Sequence, residues 1–404
     1  MSRRGRAAAL VLALALVGCA QVAPVGSSTR PTASRSSTKA TASAATPPTP
    51  TAAGPTASWP TCAALAASLG TAGQAGQLVM VGVTGSLDAA ERRAITEKRF
   101  GSVILMGNST AGVKATRVTT DAVRALAGPG GIVVAVDQEG GVVQRLKGEG
   151  FDTIPSAAEQ AQLPLSVLTE HAAGWGRQLA DAGVRLNLAP VADVVPEEKA
   201  SSNEPIGRLD RGFGHTPDAV SAGVAAFVAG MEEAGVGTSL KHFPNLGQVV
   251  GNTDFTANVR DTVTTADDPA LAPYRAGLAA GATTVMVSTA SYTRIDASAP
   301  AAFSPTVIAI AREGLGFDGV IVSDDLGVAK AVAAVPASER AVRFVRAGGD
   351  LAISVDVPAA SAMVDGLVTA ASDKAFAARL AGSAERVLSM KAGLGAASCQ
   401  VVRG

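Results

Sequence analysis

From about Gly70 onward, short runs rich in Val, Ile and Leu recur along the chain, each bounded by Gly or polar residues. Eight stand out, at residues 77–85, 101–107, 131–136, 184–188, 237–240, 283–287, 319–322 and 350–355. They are nearly continuous rather than alternating, the pattern of parallel strands covered on both faces. Between them apolar residues return at helical spacing, over 113–126, 165–182, 217–234, 269–280, 304–313 and 361–370, with a closing helix at 375–391. Repeated strand–helix units predict an α/β fold, a single (β/α)8 barrel of the TIM type. The runner-up, an open doubly wound sheet, calls for a Gly-rich phosphate loop after its first strand. No G-x-G-x-x-G follows the first predicted strand, and G-x-x-x-x-G-K-S/T, H-E-x-x-H, C-x-x-C and G-x-S-x-G are absent from the chain. Nucleotide, zinc-protease and serine-hydrolase readings therefore lose support.

Composition narrows the picture further. Hydrophobic residues make up 47% of the 404 residues, enough for a large core and too many for a disordered chain. Lys plus Arg equals Asp plus Glu at 34 each, so no basic surplus exists to neutralise nucleic-acid phosphates. Three His and three Cys are too few for a Cys/His zinc array or a disulfide scaffold.

The first sixty residues read as an address and a tether. Arg3, Arg4 and Arg6 precede an apolar run at 7–17, a signal-type core too short to span a bilayer. It ends at Leu16-Val17-Gly18-Cys19, which resembles a bacterial lipobox. That resemblance implies a signal peptide over 1–18, cleavage before Cys19, a lipid on its thiol, and anchorage to the outer face of the cell membrane. The alternative is an ordinary signal peptide with an incidental Cys. Residues 22–58 are almost entirely Ala, Ser, Thr and Pro and hold no aromatic, so the segment 19–59 is expected to be a flexible tether before a catalytic domain over 60–404. Ser36 and Lys39 fit Ser-x-x-Lys only superficially inside this low-complexity tract. Cys62 and Cys399 flank the folded part, and in an oxidising compartment they are expected to staple its ends; the alternative is two buried thiols.

In a barrel, active-site groups come from the carboxyl ends of the strands. The third strand ends at Asp137-Gln138-Glu139-Gly140-Gly141, and the fourth at Asn187 with Asp193 following. The fifth ends at Lys241-His242, the sixth reaches Ser288, the seventh ends at Ser323-Asp324-Asp325, and the eighth reaches Asp356. A lone loop Asp is usually just solvated. Repetition at equivalent places would ring one mouth with carboxylates, one Lys and one His. Such a ring suits a polyhydroxylated substrate whose glycosidic bond is cleaved by paired carboxylates.

The same segments resemble glycoside hydrolase family 3, in particular its single-domain bacterial β-N-acetylglucosaminidases. The resemblance covers roughly 75–393 and rests on DQEGGVVQR at Asp137–Arg145, NLAPVADV at Asn187–Val194, RGFG at Arg211–Gly214, KHFP at Lys241–Pro244 and GFDGVIVSDDL at Gly316–Leu326. It implies Asp324 as the nucleophile of a retaining mechanism, with Asp325 as a structural neighbour. It places Asp137, Arg145, Arg211, Lys241 and His242 at sugar-binding positions; for the two arginines, a structural ion pair is the alternative. It implies no metal or nucleotide cofactor; the charge balance already excludes nucleic acid, no obligate protein partner is evident, and membrane contact is expected through the lipid alone.

The chain also departs from the family. Members usually follow KHFP with Gly-His-Gly and then an Asp-Ser-His triplet, whose His is the general acid/base. Here the continuation is Asn245-Leu246-Gly247, and the triplet becomes Asn252-Thr253-Asp254. Asp254 stands in the missing histidine's place and is expected to carry the proton, kept protonated by repulsion from Asp324 and oriented by Asn252. His171 lies in a helix and His215 after RGFG, neither near that place. The expected function is release of terminal β-linked N-acetylglucosamine from peptidoglycan-derived fragments, with water or phosphate as acceptor. The alternative is a sugar-binding lipoprotein that kept the barrel and lost the chemistry. A family 3 β-glucosidase is a weaker option, since those usually carry a further sandwich domain.

Overall fold

The computed structural model describes residues 61–400. The signal segment, Cys19 and the whole of the low-complexity stretch lie outside the described residues. Eight parallel strands close into a barrel in chain order: β1 (Val79–Val83), β2 (Ser102–Leu105), β3 (Val133–Val136), β4 (Leu186–Asn187), β5 (Gly237–Phe243), β6 (Thr284–Val287), β7 (Val320–Asp325) and β8 (Leu351–Ser354), which returns to β1. The (β/α)8 reading of the sequence is borne out.

Both faces of the strands are buried because each serves a different core. Met80, Ile104, Val133, Ala135, Leu186, Met286, Val320, Val322, Leu351 and Ile353 fill the lumen. Their neighbours along the strands, such as Val81, Val103, Val134, Leu240, Val285 and Ile321, pack outward with the helices. These helices are α1 (Ala89–Lys98), α2 (Gly112–Arg124), α3 (Leu165–Asp181), α4 (Pro217–Glu233), α5 (Ala272–Ala279), α6 (Pro305–Ala309), α7 (Ala337–Ala347) and α8 (Val357–Ala370). The α6 segment runs on into a π-type turn at Ile310–Gly314.

The hydrophobic pattern missed α1 and α7, whose sequences AAERRAITEK and ASERAVRFVRA are rich in charge. The signal for α1 was polar: Asp88 accepts from the Ala90 and Glu91 N–H groups while Glu91 reaches back to the Asp88 N–H, a capping box.

A terminal helix, α9 (Lys374–Gly393), closes the amino end of the barrel. Val387, Met390 and Leu394 enter the lumen cluster there. Beside them Lys391 is fully buried, donating to Gln77 Oε1 at 2.5 Å and to the Gly131 carbonyl at 2.8 Å. Cys62 and Cys399 form a disulfide that joins the two ends of the described chain. None of the described helices is long and apolar enough to cross a membrane.

Candidate active site

Two register breaks shape the carboxyl mouth. On β5, Leu240 pairs with Val285 and Phe243 with Val287, three residue steps against two. Leu240 and Phe243 both belong to the outer core, Phe243 edge-on to Tyr274 at 5.1 Å. The two residues between them, Lys241 and His242, are therefore both released from strict alternation toward the mouth. A second bulge falls on β7 between Val322 and Asp325, where Ser323 and Asp324 stand. The peptides Lys241–His242 and Phe243–Pro244 are cis.

Lys241 sits among carboxylates. Its Nζ lies 2.7 Å from Asp137 Oδ1 and 2.7 Å from Glu139 Oε1. Glu139 in turn holds Arg211 in a fork, accepting from Nε at 2.8 Å and from an Nη at 2.7 Å. Arg211 spends its other Nη on the Pro205 carbonyl at 2.7 Å. Burial alone would raise the Glu139 carboxyl, but the charges of Arg211 and Lys241 override it and hold the group well below the usual carboxylate range. Burial likewise disfavours charge on Lys241, and Asp137 and Glu139 more than offset it, so its pKa is raised. Arg211 is thus a group fixed by an ion pair, the alternative weighed for it from the sequence. Arg145 donates to Asn108 Oδ1 at 3.3 Å, and among the described residues its buried Nε has no hydrogen-bond partner.

Glu139 was not among the expected site residues. The sequence did carry a signal: Arg145, Arg211 and Lys241 converge with only Asp137 to balance them, which calls for another carboxylate. DQEGG supplies it. The glycines make room for the turn that aims it; Gly140 has φ +111°, and a Cβ there would lie 2.1 Å from the Pro155 carbonyl oxygen.

Asp193 is fully buried and works on His242. It accepts from the His242 N–H at 3.1 Å, the Leu246 N–H at 2.6 Å and the His242 ring Nδ1 at 2.8 Å. A carboxylate can only accept, so Nδ1 carries the proton and Nε2 is the other face of the ring. Gly247 lets the following loop close on this group, since a Cβ there would lie 1.7 Å from the Val194 carbonyl oxygen.

The two neighbouring aspartates at the end of β7 differ sharply. Asp325 is saturated: its oxygens accept from the N–H groups of Gly327, Val328, Ala329 and Val355 at 2.8–3.2 Å. Asp324 takes one such bond, from the Asp325 N–H to Oδ1 at 2.9 Å, and among the described residues no donor reaches Oδ2. Burial pushes its pKa up, while the charges of His242 and Lys241 and that hydrogen bond oppose the rise.

Asp254 lies on the loop after β5, which is tied to the loop after β7. The Thr253 and Asp254 carbonyls accept from the N–H groups of Ala331 and Lys330 at 3.1 and 3.2 Å. The residue is solvent-exposed, while the protein around its carboxyl partly desolvates it. Burial raises its carboxyl pKa to about 6, with the nearby Asp324 charge adding to the rise and His242 opposing it. The sequence placed Asn252 as a group that orients this carboxylate. Instead, Asn252 Oδ1 accepts from the Asp254 backbone N–H at 2.9 Å, so it shapes the loop rather than touching the acid.

Three residues expected around the mouth serve the scaffold. Asn187 exchanges bonds with the Gln138 backbone at 3.0 Å, Ser288 accepts from the Ala290 N–H at 3.0 Å, and Asp356 caps α8 through the Ala359 N–H at 2.8 Å. His171 lies on the exposed side of α3, edge-on to Trp175, and His215 bonds the Val195 carbonyl. Among the described residues no group of three or more His, Cys, Asp or Glu is set to hold a metal ion.

The arrangement thus offers one buried carboxylate with a free oxygen, one carboxyl that keeps its proton into the mildly acidic range, and a cluster of fixed donors beside them. Comparison with known proteins agrees with the chemistry this suggests. Residues 71–390 match the glycosyl hydrolase family 3 N terminal domain. A beta-hexosaminidase of Stenotrophomonas maltophilia strain K279a is 34% identical over 294 residues, 68% of this chain and 82% of that protein. The beta-hexosaminidase LpqI of Mycobacterium tuberculosis is 33% identical over 372 residues, 89% of this chain and 88% of that protein. Among solved structures, a beta-N-acetylhexosaminidase from Beutenbergia cavernae superposes with a TM-score of 0.78 at 44% identity, covering 80% of this chain and 98% of that one.

Proposed function

The chain belongs to glycosyl hydrolase family 3, and from that membership we propose that it is a retaining exo-β-N-acetylglucosaminidase. It removes terminal β-linked N-acetylglucosamine from peptidoglycan-derived fragments. The beta-hexosaminidase relatives support the sugar. The basic, apolar and Cys19 elements of the leader support export and lipid anchorage beside the cell wall. The reading of a binding protein without chemistry is not favoured, since its matched relatives are named as hexosaminidases and Asp324 retains an unbonded oxygen.

The single observation that carries the mechanism is the pairing of Asp324, with its free Oδ2, with Asp254, whose carboxyl is pushed up to about 6. In the first step Asp324 attacks the anomeric carbon. The bond to the leaving-group oxygen breaks as Asp254 delivers its proton there, and a glycosyl-enzyme forms. In the second step Asp254, now a carboxylate, takes a proton from water. That water attacks the same carbon and frees Asp324. Lys241 presents a donor, and Asp137 and the His242 Nε2 present acceptors, to the hydroxyls and acetamido group of the terminal sugar, with Arg145 beside them. Glu139 fixes Lys241 and Arg211 before substrate arrives, so no reorganisation is needed at the moment of reaction.

The test is turnover of an aryl β-N-acetylglucosaminide by wild type and Asp324→Asn, with mass spectrometry for a trapped 2-deoxy-2-fluoro glycosyl adduct. Wild type is expected to turn over and to carry the adduct on the peptide containing Asp324, and the variant to lose at least about 10³-fold in rate. An inert wild type, or an adduct elsewhere, refutes the assignment.

A further inference from the structure

Aromatic side chains are scarce in this chain, 3% of residues, and nearly all of them are spent on the core. Phe255 is the exception. It is 80% exposed, and among the described residues it is the only aromatic side chain on the open surface. One exposed apolar side chain is ordinary; what points to a role is its place beside Asp254 together with further exposed apolar side chains on the same loops.

That position is the rim of the candidate site, directly after Asp254. The loop is tied to its surroundings: the Asp254 carbonyl accepts from the Lys330 N–H, the Asn252 N–H donates to Glu204 Oε2 at 3.2 Å, and Asn252 Oδ1 accepts from the Asp254 N–H. Two more apolar side chains are exposed on the same pair of loops, Val250 at 63% and Val328 at 56%.

We propose that Phe255, flanked by Val250 and Val328, is the platform for the sugar ring of the leaving group. The proposal rests on the hydrolase reading and adds to it the residue that recognises the leaving-group sugar. An acid must reach the glycosidic oxygen, and the leaving-group ring begins one bond beyond that oxygen. The terminal sugar is held on the other side, by Lys241, Asp137 and His242. The residue next to the acid on the outer rim therefore faces the departing ring. A β-linked pyranose with equatorial substituents shows a flat, largely C–H face, which an aromatic ring can cover and remove from water. The site is thus built for a second hexose or hexosamine ring as leaving group, in preference to a small alcohol.

The experiment compares wild type, Phe255→Ala and Phe255→Trp on two substrates with the same terminal sugar, N,N′-diacetylchitobiose and methyl β-N-acetylglucosaminide. The readout is the ratio of the two kcat/KM values, with the pH profile of each variant recorded alongside. Phe255→Ala is expected to lower the ratio about tenfold, mainly through KM of the disaccharide, and Phe255→Trp to restore it. A wild type inert on both substrates overturns the hydrolase reading and the platform with it. An active wild type whose ratio is unmoved by Phe255→Ala overturns the platform alone. So does a ratio that falls only together with a displaced alkaline limb, because Phe255 would then act by holding Asp254.

Discussion

Replacing Asp254 by Ala separates proton transfer from every other contribution of the site. The structure gives this carboxyl a pKa of about 6, first because the protein around it partly desolvates it and then because the Asp324 charge repels its ionised form. As an acid it must carry its proton, so activity falls as pH rises through that value. With a pKa near 6 the protonated fraction is about 0.9 at pH 5 and about 0.09 at pH 7, so kcat/KM for a sugar leaving group should drop about tenfold between them. In Asp254→Ala that alkaline limb disappears. General acid assistance is worth about 10²–10⁴-fold, and the loss should be of that size for methyl or sugar leaving groups. For a strongly acidic nitrophenol, which departs without a proton, the first step should be nearly unchanged. Water attack then becomes slow because its base is gone. Azide, which needs no base, should restore turnover and yield a β-glycosyl azide. The assay is a series of β-N-acetylglucosaminides of graded leaving-group acidity, each followed from pH 4 to 9 with and without azide. Equal loss across the series, no azide product, or an alkaline limb that survives in the variant would each refute the acid/base assignment.

Two further outcomes follow from buried charge. Glu139→Gln leaves Arg211, nearly buried, without its ion-pair partner and Lys241 with Asp137 alone as a direct one; unfolding by denaturant should show a loss of about 3–5 kcal/mol, with kcat/KM down at least tenfold, and a variant within about 1 kcal/mol of wild type would contradict the role given to Glu139. Among the described residues Lys391 is buried without a counter-ion, and its pKa is lowered to about 7 by that burial. Between pH 7 and the ordinary lysine range the unfolded chain holds a proton that the folded one has released, so wild-type stability should rise with pH by up to about 1.4 kcal/mol per unit from this group. Lys391→Met removes that rise, and a stability difference between variant and wild type that stays constant from pH 6.5 to 9.5 would show that Lys391 does not titrate in this window.

Several features of the site were legible from residue order because they are local. The apolar runs mark the strands, since a parallel strand must bury both faces. The ionisable residues that follow them fall at one mouth, since all strands point the same way. Asp324 and Asp325 were told apart only by resemblance. In the structure the difference is geometric: four backbone N–H groups from two loops saturate Asp325, and one reaches Asp324. Asp356 and Asn187 read as mouth residues by the same logic as Asp324. They proved to be a helix cap and a turn clasp, because the backbone groups they satisfy come from chain folding back after the strand.

The sequence by itself therefore determined the periodicities, and with them the barrel, the order of its strands and the mouth at which chemistry can occur. Tertiary structure alone decided which side chains are aimed and how they are charged. The bulges that turn Lys241, His242 and Asp324 inward exist only relative to the neighbouring strands. The Glu139 bridge joins residues of three separate segments, and the raised pKa of Asp254 arises from a crowded loop and a carboxylate on another strand. Burial and Coulomb energy depend on distance in space, and a linear pattern of residue types does not contain that distance.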